Sequence, residues 1–134
     1  MIFFDTNVLV YFVINQDARK QSVAQTLIQQ AIENQVLVIS PLVIIEFIFV
    51  LSKLNQLAEQ QQAVLFFQQF IKGQIGQDLI LSAYRLCVQQ GYGKNINDVI
   101  HLKFAEKYCE KIITFDSDFK MLTSVSTIKI DIYN

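Results

Sequence analysis

Met1-Ile2-Phe3-Phe4-Asp5-Thr6-Asn7 opens on four apolar residues and then breaks on a carboxylate, a hydroxyl and an amide. A short apolar run bounded by polar residues reads as a strand buried on both faces, as strands of parallel sheets are. The same grammar returns at Lys111-Ile112-Ile113-Thr114-Phe115, closed by Asp116-Ser117-Asp118. Val36 to Ile39 is a further β-branched strand, and Ile128 to Ile132 an edge strand. Between the strands the apolar spacing becomes helical. Val8 to Ile14 is an apolar helical segment, and Asp17 to Asn34 carries Val23, Ala24, Leu27, Ile28, Ala31 and Ile32 on one helix face. Ser40-Pro41 starts the next helix: serine supplies the N-cap oxygen, and proline's missing N–H costs nothing at the first helical position. That helix runs to about Leu54, is apolar on nearly every side, and is therefore expected to be buried on nearly every side. Glutamine-rich helices are predicted over about 56–72 and 77–90, Gly91-Tyr92-Gly93 punctuates the chain, and Asn97-Asp98 is expected to cap a last helix through about Cys109. Strands alternating with helices give an α/β fold, a mainly parallel central sheet with helices on both faces, in one domain over residues 1–134.

The chain has 134 residues, 52% hydrophobic and 17% charged, which suits a folded domain with a real core and not a disordered segment. So low a charged fraction also points to apolar surface covered by a partner. A formal net charge of −1 excludes the broad basic footprint of a stable nucleic-acid binder, though not an enzyme in transient contact with RNA. Cys87 and Cys109 lack metal-ligand spacing and read as free thiols in a reducing compartment. No basic stretch precedes the first apolar run, and the apolar segment Val36 to Leu51 is too short for a membrane span and is interrupted by Pro41 and Glu46. A cytoplasmic protein without membrane contact is expected.

The carboxylates carry the chemistry. Ligands of open parallel sheets bind outside the carboxyl ends of the strands. Asp5 follows the first strand directly, and Asp116 and Asp118 follow the third, so all three belong to one sheet edge. Asp98 lies in the first turn of the helix leading into that strand, where the helix dipole stabilises an acid. Glu46 stands between Leu42-Val43-Ile44-Ile45 and Phe47-Ile48-Phe49-Val50-Leu51. A carboxylate there must neutralise, pair or bind a cation, and neither Arg19, Arg85 nor the scattered lysines offers itself. Two like charges ~5 Å apart repel by about 3 kcal/mol at an effective dielectric of 20. A divalent cation relieves that repulsion, and an all-oxygen donor set suits Mg²⁺ or Mn²⁺ better than zinc. Taken singly, Asp5 could be an N-cap, Asp98 a first-turn acid, and Asp116 and Asp118 turn residues. Their joint placement at one edge favours a metal-assisted site.

Phe4-Asp5-Thr6-Asn7-Val8-Leu9, Ser40-Pro41-Leu42-Val43-Ile44-Ile45-Glu46, Asn97-Asp98-Val99-Ile100-His101-Leu102 and Thr114-Phe115-Asp116-Ser117-Asp118-Phe119 occur in that order. In this the chain resembles, over essentially its whole length, the PIN-domain nucleases and specifically the VapC-type toxins of toxin–antitoxin pairs. The resemblance implies an endoribonuclease hydrolysing RNA through metal-activated water. Asp5, Glu46, Asp98 and Asp116 would form the acidic site, and Asp5, Asp98 and Asp116 would hold Mg²⁺, for which Mn²⁺ could substitute. Thr6, Asn7 and Thr114 would orient the carboxylates, and Asp118 would be auxiliary. His101 lies one helical turn from Asp98, which invites a general-base reading, but a packing or hydrogen-bonding role suits the family's mechanism better. Lys94, Lys103 and Lys120 are phosphate contacts by sequence proximity alone; solvated surface lysines are the plainer account. The implied partners are RNA, a cognate antitoxin whose basic side chain enters the acidic site, and a second copy of the chain.

Three rival readings can be weighed against this one. A haloacid-dehalogenase-like phosphatase also places an aspartate after its first strand, but needs a second acid two residues on, where Asn7 stands. A phosphoacceptor receiver domain would need paired acids at the end of the first strand and a phosphorylatable aspartate after a central strand, and this sequence shows neither. A catalytically silent PIN-like binding module would ordinarily have lost one of the acids, and all are here.

Overall fold

The computed structural model, which describes residues 1–134, builds a four-stranded parallel sheet from the apolar runs. The strands β1 (Ile2–Phe4), β2 (Leu37–Val38), β3 (Lys111–Thr114) and β4 (Lys129–Ile132) lie in the order β2-β1-β3-β4. Ile2 pairs with Leu37 on one side of β1 and with Lys111 on the other, so Phe4 and Ile113 end together at the carboxyl edge. β4 is an edge strand with a charged rim, where Lys111 Nζ lies 3.3 Å from an Asp131 carboxylate oxygen.

Phe3 and Phe4 point to opposite faces of the sheet, and both are fully buried, so both faces are covered. The Phe3 ring packs against α6 (Ile96–Tyr108), with centroids 5.3 Å from His101 and 5.7 Å from Phe104. Local chemistry sets the other boundaries. Asp5 caps α1 (Thr6–Val13) and Asp17 caps α2 (Ala18–Glu33), accepting from the Lys20 N–H at 3.0 Å. The buried Ser40 hydroxyl accepts from the Val43 N–H at 3.1 Å and starts α3 (Pro41–Lys53). After α4 (Gln61–Gln68), α5 (Gln77–Gln90) stops at Gly91, whose φ of 71° is the left-handed conformation glycine adopts without cost. The buried apolar side chains form one continuous core, as a single domain requires.

Three expectations change. The helix foreseen over 56–72 shrinks to α4, because the chain turns at Asn55 (φ 56°) and because Phe70 to Lys72 leaves the helix to pair with Ile39. The helix α3 is not buried all round: Val43, Ile44, Phe47 and Leu51 are in the core, while Ile45 and Phe49 are 60% and 62% exposed. The Asn97-Asp98 pair does not cap α6; the helix starts at Ile96 behind Asn95, and both side chains are turned to other use. No helix is long and apolar enough to cross a membrane.

Candidate active site

Four segments remote in sequence meet at the carboxyl edge of the sheet. Asp5 leaves β1, Asp116 leaves β3, Asp98 sits in the first turn of α6, and Glu46 projects from the second turn of α3. All four line one cleft of about 590 Å³, with Thr6, Asn7 and Asn97 between them. Leu42, Ile45, Phe49 and Tyr11 make an apolar wall on one side of it. Asp118 is exposed at the rim, its backbone N–H donating to Asp116 Oδ1 at 2.9 Å.

Hydrogen bonds hold the carboxylates in place. Asp5, almost wholly buried, accepts from the Thr6 N–H at 2.7 Å and from the Thr114 hydroxyl at 2.7 Å. The Thr114 hydroxyl oxygen in turn accepts from the Asp116 N–H at 2.9 Å, so one threonine links the two aspartates that end β1 and β3. Asn7 ties α1 to the same corner: its Oδ1 accepts from the Phe115 N–H at 3.1 Å and its Nδ2 donates to Thr114 at 3.4 Å. Glu46 receives three donors, Thr6 Oγ1 at 2.6 Å and His101 Nε2 at 2.7 Å on Oε1, and Asn97 Nδ2 at 2.8 Å on Oε2.

His101 is therefore the hydrogen-bonding partner that neither arginine nor lysine offers to Glu46. The ring also lies 3.7 Å from Asp5. One turn beyond Asp98 on α6, it faces the acids as its spacing allowed. Asn97, expected as part of a helix cap, instead donates to Glu46, and its position beside Asp98 is the sequence signal for that role. Lys94, Lys103 and Lys120 do not line the cleft, and Lys103 pairs with Glu106 at 3.4 Å.

Burial pushes the Asp5 carboxyl above its ordinary range, against the opposing pull of His101 and Thr114. Burial is also the main cause at Asp98, where the neighbouring Asp5 and Asp116 charges act in the same direction and lift the pKa to about 6. At Glu46 the donors from His101, Thr6 and Asn97 outweigh burial and hold the carboxylate below its usual range. At His101 burial disfavours the imidazolium, yet the hydrogen bond to Glu46 and the charges of Asp5, Glu46 and Asp98 outweigh it and raise the pKa. Ligand atoms of Asp98, Asp116 and Asp118 lie within 4.8 Å of one another, as do those of Asp5, Glu46 and His101. Mutually repelling carboxylates around an open cleft, with no lysine or arginine lining it, fit a hard divalent cation.

The PIN domain family model matches residues 2–123 of the chain. Among solved structures, the fold is similar to a chain in the crystal structure of VapBC2 from Rickettsia felis bound to a DNA fragment from their promoter. The TM-score is 0.73, the identity 16%, and the alignment covers 100% of both chains. No curated protein matches the sequence.

Proposed function

The chain belongs to the PIN-domain family, and from that premise we propose that it is a metal-dependent endoribonuclease, the VapC-like toxin of a toxin–antitoxin pair. The observation that carries the reading is the meeting of Asp5, Glu46, Asp98 and Asp116 around one cleft whose acids have no lysine or arginine among them. The likeness in fold to a chain of the VapBC2 complex supports the same direction. In this reading Asp5, Asp98 and Asp116 hold Mg²⁺, with Mn²⁺ able to replace it, and Asp118 is auxiliary. The ion, when bound, would supply activation of water and neutralisation of the charge that develops on the leaving oxygen.

The chain's own residues do the positioning. Thr6 and Thr114 aim the two oxygens of Asp5, and Asn7 keeps the ends of α1 and β3 in register. Glu46, held at the cleft floor by Thr6 and Asn97, orients the attacking water. With water as nucleophile the ribose 2′-hydroxyl is not needed, and the products carry 5′-phosphate and 3′-hydroxyl ends. A dehalogenase-like phosphatase is disfavoured because Asn7, at the position of its second acid, is committed to the Phe115 N–H.

The partners follow from exposed apolar surface. Ile45 and Phe49 on α3, and Ile80, Tyr84 and Val88 on α5, are each between 47% and 65% exposed. We assign these faces to a homodimer and to an antitoxin segment that brings a basic side chain to the acids, in the cytoplasm. The decisive experiment incubates the purified protein with a mixed RNA pool in Mg²⁺, in Mn²⁺ and in EDTA, and maps the new ends. Cleavage confined to the metal-containing samples is expected. Undiminished cleavage in excess chelator, or none in any metal, would overturn the reading.

A further inference from the structure

We propose that His101 is a positioning residue of the acidic site, acting on Glu46 through a proton carried on Nε2; the inference rests on the nucleolytic reading above. His101 is the only histidine in the chain and is 1% exposed. Its Nε2 lies 2.7 Å from Glu46 Oε1, whereas Nδ1 is buried with no hydrogen-bond partner. These two facts select the tautomer. A proton on Nδ1 would be an unpaired buried donor and would leave the bare Nε2 lone pair facing a carboxylate oxygen. With the proton on Nε2, the ring donates to Glu46 and only a bare acceptor is left unpaired.

The same reasoning separates His101 from the metal ligands. A ligating imidazole ordinarily hands its other N–H to an acceptor, and no acceptor meets Nδ1. The geometry therefore points to support of Glu46. Two donors, Thr6 Oγ1 and His101 Nε2, converge on Oε1, and Asn97 Nδ2 takes one position on Oε2. Oε2 accepts from Asn97, and Glu46 lines the cleft. Without this hold, a long flexible side chain repelled by the neighbouring Asp5 carboxylate would swing toward solvent. Thr6 and Asn97 approach from the segments that carry Asp5 and Asp98. His101 is the most deeply buried of the three donors, its ring tilted against Phe3, and its Nε2 also lies 3.7 Å from Asp5 Oδ1, so it bridges Glu46 and Asp5.

The test compares His101→Leu, His101→Gln, Glu46→Gln and the Glu46→Gln/His101→Leu double variant. Three quantities are measured: Mn²⁺ affinity by calorimetry, cleavage rate, and melting temperature in EDTA. His101→Leu is expected to lose about 10–100-fold in Mn²⁺ affinity or kcat while melting in EDTA no lower than wild type. His101→Gln, whose amide nitrogen can stand where Nε2 stood, is expected to recover most of that loss. In the Glu46→Gln background, removing His101 is expected to cost less than about twofold, since interacting residues are not additive. A His101→Leu protein that binds Mn²⁺ and cleaves like wild type would overturn the proposal in favour of simple packing. So would a His101→Gln protein as impaired as His101→Leu, or an undiminished further loss in the Glu46→Gln background. A wild-type protein that binds Mn²⁺ but cleaves no RNA refutes the nucleolytic reading instead, with the calorimetric arms still deciding the role of His101.

Discussion

Asp98→Asn should abolish cleavage and at the same time stabilise the metal-free protein, in a pH-dependent way that the cleft's electrostatics dictate. Burial together with the Asp5 and Asp116 charges lifts Asp98 to about 6, from about 3.9 in an unfolded chain. An acid whose pKa is higher folded than unfolded binds more protons in the folded state, so stability falls as pH rises. The loss begins near the unfolded value of about 4 and is complete above about 6. At about 1.4 kcal/mol per pH unit the destabilisation at pH 7.5 is about 3 kcal/mol at most, since solvent in the cleft screens part of the repulsion. Asparagine does not titrate and removes the whole of it. Unfolding entropy of about 2.1 cal/mol/K per residue over 134 residues makes this a rise in melting temperature of about 10 °C at most. The assay is thermal unfolding of both proteins in EDTA from pH 4 to pH 8. The curves should coincide near pH 4 and separate between pH 4 and 6, with the variant higher above that window. Equal or lower melting of Asp98→Asn at pH 7.5 would refute the argument that these acids strain the metal-free fold.

The other predictions are simpler. Asp5→Asn should lose cleavage with its fold intact, and Asp116→Asn should do more damage than Asp118→Asn, because Asp116 lines the cleft and Asp118 stands at its rim; initial rates on one RNA decide the order, and a reversal would exchange their roles. Gly73→Ala should destabilise by about 1–3 kcal/mol in chemical denaturation, because φ is +90° and an added Cβ would lie 2.6 Å from the Tyr108 ring; an unchanged midpoint would show that the contact can relax. Light scattering on the isolated protein should report a dimer, and a clean monomer at high micromolar concentration would refute the assignment of the apolar faces to self-association.

Much of this molecule follows from local rules acting on the sequence. Asp17 and Ser40 start helices because a short oxygen-bearing side chain satisfies an orphan N–H a few residues on. Ile2 to Phe4 and Lys111 to Thr114 are strands because apolar runs of that length need both faces covered. Once the sheet is parallel, Asp5 and Asp116 reach the same edge with no further information, since equivalent strand ends lie together. Tertiary structure decided what depends on contacts between distant segments. The wall of α3 opened to solvent because its apolar circumference exceeds what one neighbouring layer can cover, which periodicity alone does not reveal. Phe70 to Lys72 left its helix because Ile39, some thirty residues earlier, offered free backbone groups to pair with. Glu46 found a partner 55 residues away in His101 and another 51 residues away in Asn97. No spacing rule encodes such a pairing, because it exists only after α3 and α6 have packed around the ends of the strands.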